Sequence, residues 1–204
     1  MEGKTVLARK FRIPKRKIQI RGFLRHFAES QAYEVDLFRE HVHSAAASER
    51  RSIDRRAAEL PEEAQEFLSE EVDILKSIAG LADQLAIVVL YRVVELNTGR
   101  ILRHKFGTTV AGKTFSIDRV GEILKKQLGI KIESVPHYRA IDELRLLNNC
   151  IKHEGRVSKQ LADRYSRWKQ GVELTDLGAA YERLRPKVPA YIFRLAQRVK
   201  LRFN

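Results

Sequence analysis

Three side chains in the second half of this chain have the types and the spacing to handle a phosphodiester. Arg145, Asn149 and His153 recur every four residues in I-D-E-L-R-L-L-N-N-C-I-K-H-E-G, from Ile141 to Gly155. On a helix, residues four apart line up as one stripe. A cation, an amide and an imidazole on one stripe suit the binding or hydrolysis of a phosphodiester. Lys152 adds a second cation beside His153. Leu144, Leu147 and Ile151 repeat at i, i+3 and i+7, the spacing of a packed face, and at about 100° per residue the polar stripe falls roughly opposite Leu144 and Ile151. The expectation is one helix that packs one face and offers the other. Gly155 stands where a left-handed residue would close it. A plainer account of Lys152 and His153 is that cations at a helix C-terminus satisfy its dipole and last carbonyls.

Other groups carry less chemistry. Gly107 to Thr114 reads G-T-T-V-A-G-K-T and matches the phosphate-binding P-loop pattern letter for letter. A P-loop follows a buried strand, and here Arg103, His104 and Lys105 precede it at a helix end. A flexible loop between helices is the better expectation. His41 and His43 are two apart and would diverge by about 200° on a helix, which argues against a shared metal. The carboxylates between Glu62 and Asp73 fit a solvated helix face. No metal or cofactor is expected.

The elements that must hold these groups are helical. The 204 residues suffice for one domain with a real core, and five prolines interrupt them little. Phe23 to about Arg56 keeps helical apolar spacing without a break. Leu60-Pro61-Glu62-Glu63 starts a second helix, with proline and acidic residues where the first turn favours them. Between Leu81 and Leu102 this helix is apolar nearly all round, which predicts a central buried helix, with a bend at Gly80 and fraying near Phe106. Glu95 in that stretch needs a cationic partner from elsewhere in the fold. Ser116 is a candidate N-cap for a helix ending at Gly129. Ile130-Lys131-Ile132 and Trp168 to Leu174 read as short extended pieces. Leu161 and Tyr165 should face inward from a short helix or turn. Thr175 or Asp176 caps a last helix that Pro186 and Pro189 should kink or split. The fold class is all-α: an up-and-down helical bundle with long N-terminal helices.

Charge bounds the partners. The formal net charge is +13 and the pI is near 10.0, a balance that favours polyanions or an acidic partner. Residues 1–22 form a basic arm in which Lys15, Arg16 and Lys17 are candidate phosphate contacts, ahead of a single domain over 23–204. Arg198, in the basic C-terminal stretch, is another. The single cysteine, Cys150, excludes a disulfide framework and a cysteine zinc cluster, and suits a reducing cytoplasmic setting. Uninterrupted apolar runs, the longest around Leu85 to Tyr91, are too short to span a bilayer, so no membrane association is expected.

The order of these parts resembles the HEPN superfamily. V-V-L-Y-R-V-V-E, a loop, a helix and then L-R-L-L-N-N-C-I-K-H-E-G carry the likeness, over about residues 81–195. The resemblance implies a helical bundle that pairs as a homodimer, and in active members a metal-independent endoribonuclease. It also implies a setting in toxin–antitoxin or phage-defence systems, with an antitoxin-like protein partner. The family motif is an arginine, a polar residue, and a histidine four to six residues later. His153 matches the histidine and Asn149 the polar residue. The family arginine falls on Asn148, while the nearest arginine, Arg145, lies seven intervening residues, about 12 Å of helix, from His153. The resemblance thus implies His153 as general acid or base, Arg145 holding phosphate and Asn149 orienting, or else a degenerate member that binds RNA without cutting it. A second expectation comes from another class: a non-catalytic basic helical scaffold that meets nucleic acid or a protein partner.

Overall fold

The computed structural model describes residues 20–111, 116–153 and 155–200. Among them are seven α-helices and no strand: α1 (Ile20–Glu59), α2 (Glu62–Ala111), α3 (Ile117–Leu128), α4 (Tyr138–His153), α5 (Lys159–Arg164), α6 (Leu177–Leu184) and α7 (Lys187–Arg198). The protein is an all-α helical bundle. A 3-10 turn at Ile132–Ser134 leads into α4. It takes the place of the extended piece expected at Ile130 to Ile132.

Helix α2 is the axis of the fold and packs against α1, α3, α4, α6 and α7. Its buried face includes Ala82, Ala86, Ile87, Leu90, Val94 and Ile101. The small Ala82 and Ala86 admit close neighbours, while the branched and long residues fill the space beside them. Enclosure on all sides is not what forms, however, because Leu81, Leu85 and Val89 are exposed. The backbone stays helical through Gly80 and breaks only at Gly107, at φ 81° and ψ 168°, before continuing to Ala111. That φ suits glycine, which has no Cβ to clash. Glu95 needs no distant cation: it reaches the surface and pairs with Arg92, one turn back on its own helix, at 3.1 Å.

The expectation that nothing here could span a bilayer rested on uninterrupted runs. Within Leu68–Thr109 an 18-residue window reaches a mean hydropathy of 1.6, so α2 is long and apolar enough to cross a membrane by length and composition. The core helix of a bundle meets the same criterion, and α2 buries one face against its neighbours.

Several local signals form as their chemistry dictates. The Ser116 hydroxyl accepts from the Arg119 amide at 3.1 Å, and Gly129 closes α3 in the left-handed region. Pro186 ends the run, so the predicted last helix is two, α6 and α7. Asp176 precedes α6, but its side chain makes no cap bond and its φ is +55°. Trp168 to Leu174 is a turn rather than a strand, with an isolated antiparallel bridge between Arg156 and Glu173.

Candidate functional site

Helix α4 departs from the one-faced helix its spacing predicts. Ile141, Asp142, Glu143, Leu144, Leu146, Leu147, Asn148 and Cys150 are all buried, so the helix is enclosed on nearly every side until its last turn. Helices α2, α6 and α7 cover part of it, and the segment after the helix covers more. Gly155, at φ +63°, donates to the Cys150 carbonyl at 2.9 Å and ends the helix. The chain then makes a closed loop. Val157 donates to the Val172 carbonyl at 2.8 Å and Gly171 to the Val157 carbonyl at 2.9 Å, and α5 within the loop is laid across α4.

Two adjacent carboxylates on α4 fasten that loop. Asp142 Oδ1 accepts from Arg145 Nε and Nη2 at 3.2 and 2.8 Å, and Oδ2 accepts from Arg164 Nη1 at 2.8 Å. The Tyr165 hydroxyl lies 2.7 Å from the Arg139 carbonyl and 3.1 Å from Asp142 Oδ2. Glu143 takes a two-pronged contact from Arg183, at 2.9 and 2.8 Å, and the Trp168 indole N–H at 2.9 Å. Arg167 Nε stands 3.5 Å from Glu143 Oε1. Buried carboxylates are tolerated only with such partners. Burial pushes the Asp142 carboxyl up, but the hydrogen bonds and charges of Arg145 and Arg164 outweigh it and hold the group below its ordinary range.

The arithmetic of this cluster favours anions. Two carboxylates face four guanidiniums, those of Arg145, Arg164, Arg167 and Arg183. The side chains of Arg164 and Arg167 are about half exposed, at 49% and 54%. Arg164 is anchored by its hydrogen bond to Asp142, Arg167 stands within ion-pair range of Glu143, and both also face water. A guanidinium held as Arg164 is has given up part of its rotamer freedom already, so it binds phosphate at a smaller entropic cost than a free lysine.

The sequence-predicted residues are distributed around this cluster. Asn149, Lys152 and His153 lie toward the C-terminal end of α4 and all three are exposed, Asn149 and His153 as the stripe required. Arg145 is not open like them. Its side chain is 14% exposed and engaged by Asp142. Asn148 is buried, its Nδ2 reaches Asn149 Oδ1 at 3.4 Å, and its own Oδ1 has no hydrogen-bond partner among the described residues. Arg198 is exposed in the last turn of α7. Lys15, Arg16 and Lys17 lie outside the described residues, as does most of the expected arm, since α1 already begins at Ile20.

The other candidates sort quickly. Among the described residues no group of three or more histidines, cysteines, aspartates and glutamates could hold a metal. His43 is not a plain surface residue: its Nε2 stands 3.0 Å from Asp83 Oδ1, in a network where Arg39 binds both Asp83 and Glu182. The P-loop-like stretch begins at the helix break at Gly107, inside α2 and with no strand before it, and its residues 112–114 lie outside the described ones. Asp142 and Glu143 were in view in the sequence, and two adjacent acids inside an apolar helix were the available signal. Their partners, 22 to 40 residues away for all but Arg145, were not.

Comparison of this chain with protein-family models, with curated proteins and with solved structures finds no match.

Proposed function

We propose that this protein is a HEPN-like RNA-binding protein whose α4 region grips the phosphate backbone. The observation that carries the reading is the excess of guanidiniums, four paired with two buried carboxylates, with Arg164 and Arg167 half open to solvent. Lys152 adds a cation, and His153 an imidazole, at the end of the same helix. The formal charge of +13 supplies a long-range field for the same partner.

Binding is favoured over cutting. Metal-independent cleavage needs a cation free to stabilise charge on the phosphate near the imidazole. Arg145 is held by Asp142, and Asn148, on which the family arginine falls, is buried. His153 therefore lacks an adjacent arginine on its own helix, as in a degenerate member that retains the surface and has lost the chemistry.

The test is fluorescence anisotropy with a labelled single-stranded RNA over a salt series, with gel analysis of the same RNA in chelator. Wild type should bind, and log affinity should fall linearly with log salt. Arg167→Ala and Lys152→Ala should each weaken binding and flatten that slope by about one. His153→Ala should bind nearly as wild type, with the RNA intact throughout. Cleavage that disappears in His153→Ala would make the protein a ribonuclease. No affinity at low salt would leave the basic surface to a protein partner.

A further inference from the structure

We infer that two copies of this chain pair antiparallel through α2, about a two-fold axis passing between Leu81 and Ala82. The starting observation is a stripe that α2 leaves uncovered. Ile74, Ile78, Leu81, Leu85 and Val89 are 43% to 59% exposed. Their spacing of four, three, four and four keeps them within about 80° of one another around the helix. Single exposed apolar residues are ordinary, but a continuous run over four turns is not. The helix it lies on is also thinly supported there. From Ser44 to Gly80, Ile53 and Leu68 are the only buried residues among those whose burial is described. Over that length α1 and α2 form a hairpin with almost no core of its own.

The occupant is set by the pattern's symmetry. Around an axis between residues 81 and 82, an antiparallel copy sets Ile78 opposite Leu85 and Ile74 opposite Val89, apolar on apolar at each step. One further turn outward sets Glu71 opposite Arg92, at both ends of the stripe. Among the described residues Glu71 and Arg92 pair at the surface with Arg56 at 2.5 Å and Glu95 at 3.1 Å, partners which can be shared at modest cost. A parallel pairing would set Glu71 against Glu71 and Arg92 against Arg92, and is disfavoured. The stripe is thus complementary to itself in one direction only.

The surface beside it has room for the partner's side chains. A groove of about 350 Å³ runs between α1 and α2, walled by Val35, Phe38, Leu85, Val89 and Leu96. Leu85 and Val89 are the residues that would face the second copy's Ile78 and Ile74, so those two side chains enter the groove as knobs. The sparsely packed hairpin end of each copy, with Ile74 and Ile78, would thus rest on the better-packed stretch of the other copy's α2 around Leu85 and Val89. This pairing is independent of RNA binding, and uses none of the residues assigned to it.

The experiment is sedimentation equilibrium on the full chain, with cysteine cross-linking. Wild type should be a dimer at micromolar concentration, and Leu81→Glu, a substitution at an exposed site, should be a folded monomer by circular dichroism. Glu71→Arg and Arg92→Glu should each weaken the dimer at least tenfold, and the double reversal should restore it. Oxidised Leu81→Cys should cross-link to a dimer. Ile74→Cys should not, because its two copies would sit about 22 Å apart along the helices. The only native cysteine, Cys150, is buried and does not interfere. A monomeric wild type would overturn the pairing, whether its stripe is covered by residues 1–19 or binds lipid vesicles. Efficient cross-linking of Ile74→Cys, or a dimer unaffected by Leu81→Glu, would overturn it too.

Discussion

Arg145 gives both its Nε and its Nη2 to a single oxygen, Asp142 Oδ1, three residues back on its own helix. The residue whose spacing best suited phosphate is thereby a counter-ion for a buried carboxylate. Asp142 in turn holds Arg164 and the loop that covers α4. Asp142→Ala should therefore be among the most destabilising single changes in the molecule, by about 3 kcal/mol, since it leaves the mostly buried Arg145 charge unpaired. Urea unfolding followed by circular dichroism measures it. Asp142 also sets an acid limit. Its folded pKa lies below its ordinary value, so its contribution is complete above about pH 4 and is lost as pH falls through the lower folded value. The wild type should lose stability on acidification in that window, and Asp142→Ala should show a shallower loss.

Glu143 binds the only tryptophan, which makes its clamp visible in fluorescence. Glu143→Ala removes the acceptor of the Trp168 N–H and both prongs of Arg183. Emission should shift to the red as the loop loosens, with helix content retained and a stability loss of about 2 kcal/mol. Glu143→Gln keeps an acceptor for the indole and should shift emission less. An unchanged spectrum in Glu143→Ala would mean that the loop is held without this contact.

The contrast between these clamps and the helix ends shows what was legible in the sequence. Ser116, Gly129, Gly155 and Pro186 act on the chain within a few residues of themselves, so their effects could be read directly. The apolar periodicity of α1 and α2 is equally local. Asp142 with Arg164, and Glu143 with Arg183, depend on where a later segment comes to rest, and spacing along one helix holds no record of that. The same omission hid the burial of Asn148. Its position on α4 reads as polar until the neighbouring helices pack around it. The open stripe of α2 was missed for the opposite reason: a helix apolar all round implies neighbours all round, and the described chain covers one side only.

Gly178, in the first turn of α6, should reverse the usual effect of a glycine-to-alanine change. In a helix that change ordinarily favours folding by up to about 1 kcal/mol. A Cβ here would lie 2.8 Å from Asp83 Oδ2 and 3.1 Å from Arg39 Nη2. Retreat would disturb the neighbouring atoms of both groups, because Asp83 Oδ1 is held by Arg39 Nε at 2.6 Å and by His43 at 3.0 Å, and Arg39 Nη1 binds Glu182. Gly178→Ala should destabilise by about 2 kcal/mol, a drop of several degrees in Tm by calorimetry. Pairing it with Asp83→Ala should cost less than the two changes summed, since the clash goes with the carboxylate.

His137 joins backbone strain to charge at the entry to α4. Its φ is +72°, in the left-handed region, and its carbonyl accepts the amides of Ala140 and Ile141 in the first turn. Burial lowers its pKa, and the nearby cations Lys187 and Arg194 on α7 lower it further. The folded state therefore binds this proton less readily than the unfolded chain, whose histidine titrates near pH 6.5. Between the folded value and about 6.5 the unfolded state carries more protons, so stability falls as pH falls through that range. Asparagine tolerates the left-handed conformation and cannot titrate. His137→Asn should match or slightly exceed wild type at pH 8, by at most about 1 kcal/mol, and its advantage should widen at about pH 5.5. Urea midpoints at the two pH values decide it. An advantage that is equal at both, or that shrinks on acidification, would show that neither burial nor the α7 cations disfavour the protonated imidazole.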